Sequence, residues 1–106
     1  MSLIIEDAYD VKVYVEFLDL SMTVIGIEMN SKKRFTAQFL ECQGIKIEYD
    51  KTQYEDIGEE INLLTNIADG IRCTKPMENG VNEYCIGFES GNYIHIQCRK
   101  IVVMRE

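Results

Sequence analysis

Four stretches in the first half of the chain place their apolar residues on alternate positions, and all of these positions have one parity. Val11, Val13, Val15 and Phe17 alternate with Lys12, Tyr14, Glu16 and Leu18. Ile25, Ile27 and Met29, then Phe35, Ala37 and Phe39, then Ile45, Ile47 and Tyr49 continue the odd-numbered series. A period of two belongs to a strand with one buried face. In an antiparallel pair the numbers of opposed residues have a constant sum, and an odd face stays on one side only if that sum is even. Val15 against Ile25, around Asp19-Leu20-Ser21, meets this condition. So do Met29 against Phe35, around Ser31-Lys32-Lys33, and Phe39 against Ile45 through a Gly44 connection. The expectation is a four-strand antiparallel meander with a continuous apolar face.

A helix is expected next. Thr52-Gln53-Tyr54-Glu55 has the form of a capping box, in which Thr52 accepts from the third helical amide and Glu55 reaches back to the cap amide. Tyr54, Ile57, Ile61, Leu64 and Ala68 then share a stripe at helical spacing, and Asp69-Gly70 supplies a stop. Gly58 weakens the helix by about 1 kcal/mol relative to alanine. The stripe is expected to pack on the sheet.

The last third reads as a hairpin after an exposed turn at Thr74–Gly80, which holds the single proline, Pro76. Tyr84, Ile86 and Phe88 alternate, and Ile94, Ile96 and Cys98 do so after Ser90-Gly91-Asn92. Opposing Phe88 with Ile94 puts all six on one face and sets Glu83 against Arg99. The run Ile101-Val102-Val103-Met104 suits a strand buried on both faces or lying centrally. The fold class is therefore α+β in a single domain, residues 1–106: a mainly antiparallel curved sheet, with meander and C-terminal hairpin, and one principal helix packed on it. Two packed sheets are the alternative shape.

Candidate chemistry is sparse. Cys42, Cys73, Cys85 and Cys98 are 31, 12 and 13 residues apart, with no Cys-x-x-Cys pair and only His95 as a histidine, so packed thiols fit better than a metal site or a disulfide framework. The hairpin register puts His95 on the face of Glu83, Gln97 and Arg99, where a solvated imidazole is expected. Cys85 falls opposite Gln97 and diagonal to His95, without the signature of a cysteine hydrolase. No calcium-loop pattern occurs, and Gly87 and Gly91 belong to a hairpin rather than to a phosphate-binding turn. No catalytic residue, cofactor or metal is assigned. The start, Met1 to Asp7, lacks the basic flank and apolar run of a signal peptide, and no stretch reaches the ~18 apolar residues of a membrane span. The expected location is the cytoplasm.

Charge is the one asymmetric property. The net charge is -7, which argues against nucleic-acid and anionic-membrane partners, since both recruit Lys and Arg. Residues 1–40 carry -2 and residues 70–106 carry +1, whereas residues 41–69 hold eight acids against Lys46 and Lys51, a balance of -6. Concentrated negative charge costs stability by self-repulsion, and its compensation is solubility or the steering of a basic partner.

In size, acidity and lack of catalytic residues the chain resembles the small acidic immunity proteins that neutralise bacterial polymorphic or contact-dependent growth-inhibition toxins. The resemblance implies a non-catalytic inhibitor bound one-to-one to a basic toxin domain, commonly a nuclease. The charge map assigns its partner-binding surface to Glu48, Asp50, Glu55, Asp56 and Glu59, with Tyr49 or Tyr54 as an aromatic anchor. An alternative function is a homodimeric or assembly module using the even-numbered face of the first strands, with Tyr14, Leu18, Met22, Val24 and Leu40. A small-molecule-binding α+β domain is the third class.

Overall fold

A computed structural model of the chain describes residues 2–48, 67–76, 78–89 and 91–106. Seven strands account for most of them: β1 Ser2–Ile5, β2 Ala8–Glu16, β3 Ser21–Glu28, β4 Arg34–Glu48, β5 Ala68–Pro76, β6 Asn82–Phe88 and β7 Tyr93–Arg105. All their pairings are antiparallel. The spatial order is β1-β5-β2-β3-β4-β7-β6, and β6 returns to pair with β5. Six strands therefore close a barrel around one apolar core, and β1 is added beside β5.

This corrects the expected α+β class. Among the described residues there is no α-helix, only one 3-10 turn at Glu78–Gly80. Most of the expected helix, from Thr52 through Leu64, lies outside the described residues. Its expected end, Ala68-Asp69-Gly70, opens strand β5. Gly70 is needed there for close approach rather than as a helix stop: its φ is 140°, and a Cβ would sit 3.1 Å from the Ile5 carbonyl oxygen. A side chain at that point would force β1 and β5 apart.

The barrel closes through small residues. Ile5 opposite Ile71 and Ala8 opposite Ala68 keep one register, so β1 and β2 are two halves of a strand that bends between them. Pairing of β2 with β5 is confined to Ala8 and Ala68, both buried. Their methyl side chains take up little room inside the barrel at this junction. The two longest strands, β4 and β7, pair along most of their length. β4 carries Glu41 at a φ of 55° and a register shift between Cys42 and Gly44. Irregularities of this kind turn barrel corners. The expected Gly44 connection between two strands is thus a bulge inside one strand, and Phe39 opposes Ile101 rather than Ile45.

The shared parity also breaks once. Val15 opposes Met22 and Val13 opposes Val24, so Met22 and Val24 face the core while Ile25 and Ile27 face outward. The cause is the turn, four residues long at Phe17–Leu20 with Leu20 left-handed at φ 46°, where an odd-length turn was expected. A change of one residue in a turn exchanges the faces of the following strand. The β3–β4 pairing exchanges them back, since Met22 opposes Phe39, Val24 opposes Ala37 and Gly26 opposes Phe35. Phe35, Ala37 and Phe39 are therefore buried as expected, but Met29, expected on the same face, is exposed.

The C-terminal hairpin keeps its expected face with a different register. Tyr84, Ile86, Phe88, Ile94, Ile96 and Cys98 are all buried. Ile86, not Phe88, opposes Ile94, so Glu83 faces Gln97 instead of Arg99. The shift is by two, which preserves the face. The turn spans Glu89 to Asn92 and is closed by Phe88 N–H to Asn92 O at 3.0 Å and Gly91 N–H to Phe88 O at 2.9 Å. Arg99 instead donates to the carbonyl of Asn79. Beyond Cys98, β7 continues along β4 alone, so Ile101, Val102 and Val103 are half-buried and Met104 is exposed, not buried on both faces.

Candidate functional site

Of the residues assigned to a partner surface, the structure places Glu48, at the end of β4. Tyr49, Asp50, Tyr54, Glu55, Asp56 and Glu59 lie outside the described residues. Glu48 stands on the outer barrel face formed by β4, β7 and β6. There Lys46 opposes His95 and His95 opposes Cys85, one strand further on. The Glu48 carboxylate reaches diagonally to His95 Nε2 at 3.1 Å and along its own strand to Lys46 Nζ at 3.9 Å. The ring of Tyr93, opposite Glu48 in register, stacks on His95, with centroids 6.3 Å apart and planes inclined by 26°. Gly44 and Gln97 complete a recess of about 340 Å³ lined by Lys46, Glu48, Glu83 and His95.

This arrangement differs from the expectation in two respects. His95 is half-buried and engaged by Glu48 rather than freely solvated, and Cys85 opposes His95 directly rather than diagonally. A thiol beside a carboxylate-bound imidazole invites comparison with a cysteine nucleophile, which needs a thiolate. The electrostatics run the other way. Burial raises the Cys85 pKa, and the nearby Glu48 charge raises it further, outweighing Arg72. What the recess presents to solvent is a carboxylate, about half exposed, held by a lysine and an imidazole.

The remaining thiols belong to the core. Cys42 and Cys98 oppose one another across β4 and β7 and are buried, and all four cysteines are free. Desolvation pushes the Cys98 thiol up to about 12 and also raises Cys42. Both are protonated packing elements at neutral pH.

The apolar face assigned to an assembly interface is also rearranged. Met22 and Val24 are fully buried. Tyr14 and Leu18 are exposed and Leu40 is half-buried, and Ile25, Ile27, Val102 and Met104 join them outside the core. Across β2, β3, β4 and β7 the row Lys12, Ile25, Thr36, Met104 forms the floor of a groove of about 830 Å³, with Ile27 and Arg34 beside it. Phe17, expected inside, stands at the tip of the β2–β3 hairpin. The alternating pattern runs through it without a break, and only the length of the turn marks it as outside.

No known family model matches the chain, and no curated protein matches it. Among the described residues no helix is long and apolar enough to cross a membrane.

Proposed function

We propose that the protein is a non-catalytic, protein-binding inhibitor of the immunity type, which captures a basic toxin domain on an acidic surface in the bacterial cytoplasm. One observation carries this reading: residues 41–69 hold -6 of the net -7, beginning at Glu41 and Glu48 on β4. Glu48 is held in place by Lys46 and His95, so its carboxylate is partly ordered before any partner arrives. An oriented carboxylate within an acidic field accelerates capture of a basic surface, because complementary potentials steer diffusional encounter. Asp50, Glu55, Asp56 and Glu59 extend the charge in sequence, with Tyr49 or Tyr54 as the aromatic contribution.

The test uses the toxin-like domain encoded by the neighbouring upstream reading frame. Its association with this protein should slow by an order of magnitude or more between low and physiological salt. The pair Glu55→Lys and Glu59→Lys should slow it at low salt. An unchanged rate for that pair, or the lack of such a domain beside the gene, removes the reading.

A second reading, a homodimeric assembly module, is favoured by the groove floored by Ile25 and Met104. Light scattering decides it: a dimer stable to dilution and dispersed by Ile25→Lys supports self-association, and a strict monomer excludes it.

A further inference from the structure

Phe17 and Leu18, at the tip of the β2–β3 hairpin, are 82% and 98% exposed, the most exposed large apolar side chains among the described residues. The turn that carries them is well tied. The Leu18 amide donates to Glu16 Oε1 at 3.0 Å, and Ser21 Oγ donates to Asp19 Oδ1 at 2.8 Å. The Cys42 amide on β4 donates to the Leu20 carbonyl at 3.1 Å, which fixes the base of the turn to the barrel wall. An apolar protrusion held in this way loses little backbone freedom on docking, and aromatic residues in such positions supply much of an interface's energy.

Charge around the tip narrows the partner. Glu16 and Asp19 belong to the hairpin, and Glu41 precedes Cys42 on β4; all three are exposed. The nearest base by register, Lys100 opposite Leu40, lies one strand further away, on β7. A carboxylate collar disfavours insertion into an anionic bilayer and favours a protein surface bearing Lys or Arg.

We propose that Phe17 and Leu18 form an anchor that inserts into an apolar pocket rimmed by Lys and Arg on a basic protein partner. This rests on the protein-binding reading above and adds a contact that the acidic segment does not supply. The steering charges act before contact, whereas an inserted aromatic slows dissociation.

The experiment is in-cell photocrosslinking in the organism of origin. The photoreactive residue p-benzoylphenylalanine is placed at Leu18 in one strain and at Tyr14, on the outward face of the same hairpin, in another. The expected result is a crosslink from position 18 to one protein identified by mass spectrometry, at a site with apolar residues flanked by Lys or Arg. The complex rebuilt from purified components should then weaken by at least about 30-fold with Phe17→Ser, a variant whose circular dichroism matches the wild type. A crosslink to a second copy, to lipid or to an acidic protein overturns the proposal, as does an affinity unchanged by Phe17→Ser. Crosslinking to a basic protein from position 14 alone overturns the anchor and leaves the protein-binding reading standing. Absence of crosslinks from both positions overturns the two together.

Discussion

Two of the barrel's hairpins treat their ends in opposite ways. At the β6–β7 turn, Phe88 and Asn92, at its two ends, are each 2% exposed. At the β2–β3 turn, Phe17 and Leu18 project into solvent. Both turns are closed by hydrogen bonds, so the difference is not one of order. Apolar surface left in solvent adds little to the stability of the fold. The contrast gives the proposed anchor its test: one hairpin end adds to the core, and the other does not.

The largest expected effect tests that division directly. Phe39 is fully buried, opposes Met22, and meets the Tyr84 ring edge-to-face with centroids 5.5 Å apart. Phe39→Ala should cost about 3–5 kcal/mol, from lost burial and the cavity left behind. Phe17→Ala should fall within about 0.5 kcal/mol of the wild type. Urea denaturation of the two variants is the measurement, and a loss above about 1.5 kcal/mol for Phe17→Ala would mean that the tip belongs to the core after all.

The same contrast separates what the sequence reveals from what it conceals. The β6–β7 face is legible because the strands offer apolar residues on one parity, and a turn that differs in length by an even number cannot move them to the other face. The β2–β3 pair is not, because β3 is apolar on both parities, with Met22 and Val24 on one and Ile25 and Ile27 on the other. Alternation alone cannot choose between them. The choice falls to the turn, and Phe17 continues the strand pattern into it. Strands β1 and β5 escape for a different reason, since Ala68-Asp69-Gly70-Ile71 lacks a clear period of two and follows a helix-like stripe. The candidate site was only partly legible: Glu48 follows from charge, but its contact with His95 depends on the bulge between Cys42 and Gly44, and a glycine there fits a strand connection as well as a bulge.

A smaller effect concerns how β3 came to turn Gly26 inward. A Cβ there would meet Phe35 Cε1 at 3.0 Å and Val11 Cγ2 at 3.1 Å. Gly26→Ala should therefore destabilise by about 1–3 kcal/mol through overpacking. Combining it with Phe35→Leu should recover part of the loss relative to the sum of the single variants, because the two act on one contact. Strict additivity would show that the glycine serves the backbone and not the packing of β4 on β2.

Raising pH tests the interior of the buried hairpin. The Cys98 thiol is pushed from its ordinary value of 9.0 to about 12, chiefly by burial. The unfolded chain therefore gives up this proton near pH 9 while the folded chain keeps it. Stability from this group is fully present below pH 9 and is lost as pH rises toward 12, with the raised Cys42 acting in the same direction. In reducing buffer the urea midpoint should fall steadily above pH 9. Cys98→Ala should flatten that fall, and an equal slope in the variant would assign the alkaline loss to other groups.

A small stability effect is expected at Glu48 as well, and there stability and association rate together separate a structural role from a binding one. The carboxylate is about half exposed, its distance to Lys46 is 3.9 Å, and its contact with His95 is open to solvent on one side. Exposed pairs of this kind contribute about 0–1 kcal/mol. Glu48→Gln keeps the shape and a hydrogen-bonding oxygen for His95, so urea midpoints at pH 7 should move by less than the equivalent of about 1 kcal/mol, and the Tyr93 stack should persist. Capture of a basic partner should nonetheless slow, more at low salt than at high, since one negative charge is lost from the steering field. A variant that loses stability but keeps its association rate would make Glu48 a structural tie between β4 and β7. The converse would make the ordered carboxylate part of a recognition surface, held by the barrel wall as the Phe17–Leu18 tip is held by its turn.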